Sequence, residues 1–335
     1  MFSFLFPKKQ TDAEKLAQQR QEASIKALEG GDIPLSARER LTHQSAHGKD
    51  FFSSDLTTRE YLFAREAGYQ PIGQVMGCAF MNISLWGGRQ IRQQTEEVYD
   101  VSKALSDARK LAINRLLKEA QLLNATGVIG IRLVVQKHGY DERMMEFTAI
   151  GTAIRVPGHE QKSTFTSLLT GQEFWQLHQA GYWPIGVCMG TCSYYVRTDM
   201  ATRKILYSWW GGNNQNNNEI RAYTQGFYEA RERALSRISL DIEALKADGC
   251  VGMRVDQEVK DIEYEVNDRT YHDFLCNFSM MGTAIVKEKD APAKPRSTLV
   301  IYDLAQKKNF GVDIDFDNDY DGTSFETDND SVEID

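Results

Sequence analysis

The sequence predicts an α+β fold made of two tandem β-α-β-β units. Three observations carry this reading. First, residues 66–77 (EAGYQPIGQVMG) return at 179–190 (QAGYWPIGVCMG) with eight of the twelve positions identical. Second, four further blocks recur in the same order: Trp86-Gly87-Gly88 with Trp210-Gly211-Gly212, ARKLAINRL (108–116) with ARERALSRI (230–238), ATGVIGIRL (125–133) with ADGCVGMRV (247–255), and EFTAIGTAI (146–154) with NFSMMGTAI (277–285). Third, each repeat alternates strand-like and helix-like patterning in one order. A unit of roughly 100 residues is a normal domain size, far longer than a solenoid repeat.

Taken in order, residues 1–55 form a helical extension. Thr11-Asp12-Ala13-Glu14 and Ser36-Ala37-Arg38-Glu39 are capping-box patterns. Residues 12–29 between them are charged and end at Gly30-Gly31, a helix stop. Residues 42–56 read as a polar connector. The first unit spans 56–158 and the second 166–288. Each opens with an apolar extended stretch (72–85; 185–196) and passes through the Trp-Gly-Gly loop. A long helix follows, whose first-copy apolar positions Val101, Leu105, Ala108, Leu111, Ala112, Leu116, Ala120 and Leu123 step by three and four. Thr126-Gly127 and Asp248-Gly249 are expected to end the two helices. Paired strands close each unit, 127–136 with 144–155 and 249–259 with 273–287, rich in Val, Ile, Phe and Thr. The second copy has extra residues before Trp210; SYYVRTDMATRKILYSWW reads as a lengthened hairpin turning near Asp199, and NNQNNNE as a polar loop. Residues 289–335 are a Pro- and Lys-rich linker and an acidic tail expected to be disordered.

Composition narrows the function classes. A length of 335 residues fits about two domains, and an apolar share of 41% is that of an ordinary globular protein. No run of eighteen apolar residues occurs, so no membrane-spanning helix is expected. The opening MFSFLFPKK places its basic residues after the apolar patch, the reverse of a secretory signal, and the chain reads as cytoplasmic. Cys78, Cys188, Cys192, Cys250 and Cys276 are odd in number and read as reduced thiols. The net charge of −8 is local: residues 311–335 hold ten carboxylates and no Lys or Arg, leaving 37 acidic against 39 basic side chains elsewhere. A nearly neutral body without a basic stripe is not a nucleic-acid surface.

The blocks together resemble the YbjQ family, labelled as heavy-metal-binding domains. The resemblance rests on the strand entering Gly77 and Gly190, the Gly-Gly loop before the helix, and Ala108-Arg109 with Ala230-Arg231. The Gly-x-x-Gly turn into a strand and the closing Gly151-Thr152-Ala153 and Gly282-Thr283-Ala284 complete it. It covers about 60–155 and 173–287 and implies two tandem family domains assembling as a homo-oligomeric, pentameric ring. The N-terminal helices and the tail lie outside it.

Chemistry is sparse. Cys188 and Cys192 share a strand face about 13 Å apart, too far for one metal without a bulge, and the cysteines read as small buried hydrophobes. No Cys-x-x-Cys or His-x-x-His spacing occurs among His43, His47, His138, His159, His178 and His272. Asp317-x-Asp319-x-Asp321-Gly322 with Asp328 at position 12 is half a Ca²⁺ loop, although Ser324 stands at the usual apolar position and Asp replaces the final Glu. The same tail, with Ile314, Phe316 and Tyr320 among carboxylates, also fits a docking peptide for a protein partner. No nucleophile elbow, phosphate loop or dinucleotide fingerprint is present. Arg109 and Arg231, at matching helix positions, read as ion-paired structural residues or as an anion site. Trp86 and Trp210 read as subunit contacts or as pocket walls. The shared residues of the repeated phrase are those of backbone geometry, whereas Cys188 and Trp183 change to Val75 and Gln70. The favoured reading is therefore a non-enzymatic homo-oligomeric assembly protein with terminal extensions for partners. The alternative is a metal- or small-ligand-binding module, with sites between subunits or Ca²⁺ in the tail.

Overall fold

The computed structural model describes residues 12–47, 53–83, 94–138, 143–159, 163–207, 219–266 and 269–288. Helices α1 (Asp12–Glu29) and α2 (Leu35–His47) form an N-terminal hairpin. The first repeat contributes α3 (Thr58–Glu66), β1 (Gln70–Asn82), β2 (Glu96–Glu97), α4 (Tyr99–Leu122), β3 (Gly127–Lys137) and β4 (Met144–Arg155). The second contributes β5 (Phe165–Thr166), α5 (Gly171–Gln179), β6 (Tyr182–Val196), α6 (Met200–Tyr207), α7 (Arg221–Ala244), β7 (Gly249–Val266) and β8 (Arg269–Lys287). The fold is α+β, with two four-stranded sheets ordered β1-β4-β3-β5 and β2-β6-β8-β7.

One constraint in the repeated phrase sets each helix on its sheet. A Cβ at Gly77 would lie 2.0 Å from the Ala112 carbonyl oxygen, and one at Gly190 2.0 Å from that of Ala234. Helix and strand backbones therefore touch where glycine meets alanine, and both copies keep both residues. This proximity lets helix side chains reach the strand backbone. From α4, Glu119 accepts from the Met76 N–H at 2.9 Å and Arg115 donates to the Cys78 carbonyl at 2.6 Å. From α7, Asp241 accepts from the Met189 N–H at 3.1 Å and Arg237 donates to the Thr191 carbonyl. These four side chains satisfy polar groups on the side of β1 and β6 that faces away from β4 and β8, open along the edge strand β1 and along the part of β6 that the two-residue β2 does not reach.

The glycines of the phrase serve two purposes. Gly68 and Gly181 adopt φ of 82° and 79° as the chain leaves α3 and α5, a conformation that costs glycine little. Gly77 and Gly190 supply close approach instead. Bulges fall at equivalent points, between Pro71 and Gly73 and between Pro184 and Gly186.

Several local expectations are corrected. Residues 58–66 and 171–179 are helices, each opened by a complete capping box, Thr57 with Glu60 and Thr170 with Glu173. Helix α2 begins at Leu35, so Ser36 lies inside it, and the helix runs into the segment read as a connector. Gly127 and Gly249 begin strands; the left-handed residues after α4 and α7 are Asn124 (φ 53°) and Lys246 (φ 54°). Gly127 is small because the Phe165 ring lies over it, 2.3 Å from where a Cβ would sit. The stretch after Val196 is helix α6 and not a hairpin: the Asp199 carboxylate accepts from the Thr202 N–H at 2.7 Å, as a helix-capping side chain does. Strands β7 and β8 extend well beyond the residues expected, to Val266 and back to Arg269.

Replacing Gly77 or Gly190 by Ala forces each helix off its strand and should cost about 2–4 kcal/mol. Gly249→Ala, where a Cβ meets nothing within 4 Å, should cost less than about 1 kcal/mol. Urea unfolding midpoints of the three variants check this; equal midpoints would refute the crossing constraint.

Candidate functional site

The repeats exchange strands at a seam. Strand β5, the leading segment of the second repeat, pairs parallel with β3 of the first. The pairing continues as backbone bonds: Ser167 N–H to Val128 O at 2.9 Å, Ile131 N–H to Ser167 O at 3.1 Å and Gly130 N–H to Leu169 O at 2.7 Å. In return, β2 of the first repeat pairs with β6 of the second, and the Ser102 hydroxyl accepts from the Ser193 N–H at 2.8 Å. The core follows the exchange. Met189, Tyr195, Ile262 and Leu275 of the second repeat share one buried cluster with Leu105, Ile113 and Phe147 of the first.

The helix anchors have a second function at this seam. Besides the Thr191 carbonyl, Arg237 holds Glu97 of β2 at 2.5 Å; besides the Met189 amide, Asp241 holds Lys110 of α4 at 3.0 Å. Each anchor thus grips its own strand with one atom and the incoming repeat with another. The first-repeat anchors have the same form but hold the N-terminal hairpin. Arg115 donates to the Asp32 carbonyl at 3.1 Å and the Leu28 carbonyl at 3.0 Å, and Glu119 pairs with Arg40 at 3.5 Å. Burial pushes the Glu119 carboxyl up, opposed by the Met76 N–H and the Arg40 charge.

Arg109 lies at the centre of the seam. Its side chain is 6% exposed, and the guanidinium stands over the Phe147 ring at 5.4 Å, donates to the Leu105 carbonyl and meets the exposed Asp256 of the second repeat at 3.6 Å. Burial lowers its pKa to about 10, while the Asp256 charge opposes the shift; at neutral pH it stays cationic. Arg109, Lys137, Asp256, Glu258 and Asn277 line a cavity of about 340 Å³ between the sheets. Arg231, the sequence equivalent, sits on the outer face of α7, 45% exposed and paired only with its neighbour Glu232 at 3.2 Å among the contacts described. The two matching arginines therefore occupy unlike environments. Trp86, Trp210, Asp317, Asp319, Asp321 and Asp328 lie outside the described residues, as do the Ca²⁺ pattern and the tail.

Two clusters were not visible in sequence spacing. His159, His178 and Glu288 bring their donor atoms within 4.8 Å of one another. They lie beside Trp183, which stacks on His159 at 4.3 Å. The donors already serve each other and their surroundings: His178 Nδ1 meets the Tyr69 hydroxyl at 2.9 Å and His159 Nε2 meets Glu288 at 3.5 Å. The cluster reads as a polar and aromatic tie between the repeats. In the second sheet, Cys188 and Cys250 approach to 3.0 Å, with the Met253 sulfur 3.3 Å from Cys250. They meet above Gly282, which leaves room for them. In the first repeat these three positions are Val75, Val128 and Ile131 above Gly151. The hydrogen bond from Cys188 stabilises a Cys250 thiolate and lowers its pKa; the same bond and burial raise that of Cys188. Burial alone raises Cys276 to about 11, and burial is the main cause that raises Cys192 to about 12.

The YbjQ family model, described as "Putative heavy-metal-binding", matches residues 80–157. Among the described residues, that segment by itself gathers no group of three metal-ligating side chains. The encapsulin nanocompartment protein Rv1762c of Mycobacterium tuberculosis is 30% identical over 266 residues, which cover 77% of this chain and 93% of that protein.

Two outcomes follow from the geometry. Arg109→Ala should destabilise the chain by about 2 kcal/mol through packing lost around Leu105 and Phe147, whereas Arg231→Ala should stay within about 0.5 kcal/mol; paired thermal melts decide it. Under limiting iodoacetamide near neutral pH, Cys250 should be alkylated before the other four cysteines, and Cys188→Ala should slow it. Peptide mass spectrometry reads the order, and uniform labelling would refute the shared-proton pair.

Proposed function

This chain belongs to the family of the mycobacterial encapsulin nanocompartment protein Rv1762c, and from that premise we propose that it is a non-enzymatic, self-assembling component of a protein nanocompartment. The observation that carries the reading is the seam. Within one chain, two repeats join by exchanging strands in both directions and by burying a shared core. A fold whose units already pair through open sheet edges is suited to repeating that joint between chains.

In this reading the second repeat, 166–288, is a YbjQ-like domain equivalent to the first at 56–158. The equal anchors Arg115 and Glu119, Arg237 and Asp241 support the equivalence. The chains form a homo-oligomer in the cytoplasm, with five-fold symmetry as the stoichiometry the family resemblance favours. Trp86 and Trp210 belong to contacts between subunits. The hairpin within residues 1–55 and the acidic tail within 289–335 serve as partner-binding extensions.

Native mass spectrometry and light scattering of the full chain test the reading. The expected result is a discrete homo-oligomer that strengthens with concentration. A strict monomer at every accessible concentration would overturn it.

A further inference from the structure

We infer that the outer edge of β7 is a docking site for residues 53–56 of a second copy of this chain, and that the N-terminal hairpin competes with that joint. The inference rests on the self-assembly reading and assigns it a surface.

The seam supplies the template. Strand β3 receives residues 165–169 along its outer edge through Gly130 N–H, Ile131 N–H and Val128 O. The corresponding groups of β7 are Gly252 N–H, Met253 N–H and Cys250 O. The two edges have one shape: each carries a bulge, between Ile129 and Arg132 and between Val251 and Arg254, with Gly130 at φ 64° and Gly252 at φ 63°. Yet β7 ends its sheet, and among the described residues no strand lies on its outer side.

The inserting segment is also duplicated, and both copies are held alike. Leu168 N–H donates to Thr283 Oγ1 at 2.9 Å and Leu169 N–H to Ser167 Oγ at 3.1 Å. Asp55 N–H donates to Thr152 Oγ1 at 3.1 Å and Leu56 N–H to Ser54 Oγ at 3.0 Å. Residues 53–56 are therefore already shaped as an inserting strand, which lowers the ordering cost of docking.

Burial shows the same vacancy from both partners. Ile131 is fully buried at the seam, whereas Met253 is 39% exposed. On the receiving face, Met189 and Ser193 of β6 are buried under the first repeat, whereas their equivalents Met76 and Phe80 of β1 are 49% and 57% exposed. Tyr228 of α7, where α4 has Ser106, is 58% exposed and offers the apolar surface that would cover them. A second copy placed as the seam places its repeats covers all four apolar side chains at once.

The hairpin sets the condition. Such a copy brings α7 and the chain before it to the anchors Arg115 and Glu119, the atoms that now hold Leu28, Asp32 and Arg40. Helix α1 buries no residue of its own, whereas Ile33 and Leu41 seat the rest of the hairpin in the first repeat's core, so an incoming chain must displace that burial to reach the anchors.

Hydrogen–deuterium exchange and sedimentation of the full chain over a concentration series test the joint. As chains associate, the amides of Ser54, Gly252 and Met253 should become protected together. Met253→Glu should weaken association at least roughly tenfold. Arg40→Glu, which loosens the hairpin, should strengthen it roughly three- to tenfold. Association in which residues 249–253 exchange as fast as in the monomer places the joint elsewhere and overturns the inference while self-assembly stands. Unchanged association of Arg40→Glu removes the hairpin's role. No association at any concentration defeats both readings. Because the purified chain is alone in the experiment, protection at β7 reports a second copy and no other partner.

Discussion

Everything in this molecule depends on two backbones touching. Where Gly77 meets Ala112 and Gly190 meets Ala234, helix and strand are closer than any side chain at the glycine would allow. At that separation side chains one and two turns further along the helix reach the strand's own carbonyls and amides. Arginine and a carboxylate, four residues apart on the helix, then lie on one face and complete the hydrogen bonding of a stretch of strand that no neighbouring strand covers. Their remaining atoms point outward and become the grip on whatever lies alongside, the first repeat in one case and the hairpin in the other. A packing constraint thus becomes an assembly device without any further residue.

Much of the fold was legible in the sequence because duplication marks it. The recurring phrase located the strand that opens each sheet, and the three-and-four spacing located α4. Helices α3 and α5 also carry a signal, in the boxes beginning at Thr57 and Thr170, but each has only nine residues, too few for a three-and-four spacing to stand out. Other features had no local signal. The exchange of β5 and β2 pairs residues far apart in the chain, and a two-residue strand has no periodicity to read. Gly127 looked like a helix stop and is instead a seat for Phe165. Arg109 could be singled out from its repeat, but its partner Asp256 lies on a distant strand. Likewise Cys188 and Cys250 meet only because the intervening strand offers Gly282 between them.

The differences between the repeats are as informative as the identities. Positions facing the seam are small and polar in one copy, the buried Ser193 and the half-buried Ser106, while their equivalents Phe80 and Tyr228 are large and exposed. Three apolar positions over Gly151 have become three sulfur side chains over Gly282. Relaxed sequence on one side of a duplication normally marks a changed environment, and here the two sides differ in what covers β3 and β7.

Having two repeats in each chain also fixes a rule of counting. The seam inside a chain and the joint between chains would alternate around any closed circle, so a ring built this way contains an even number of repeats. Five repeats cannot close, whereas five chains can, as a ten-repeat circle with covalent and separable joints in turn. Such a circle would open only at every second joint, and its unit of growth or repair would be a whole chain.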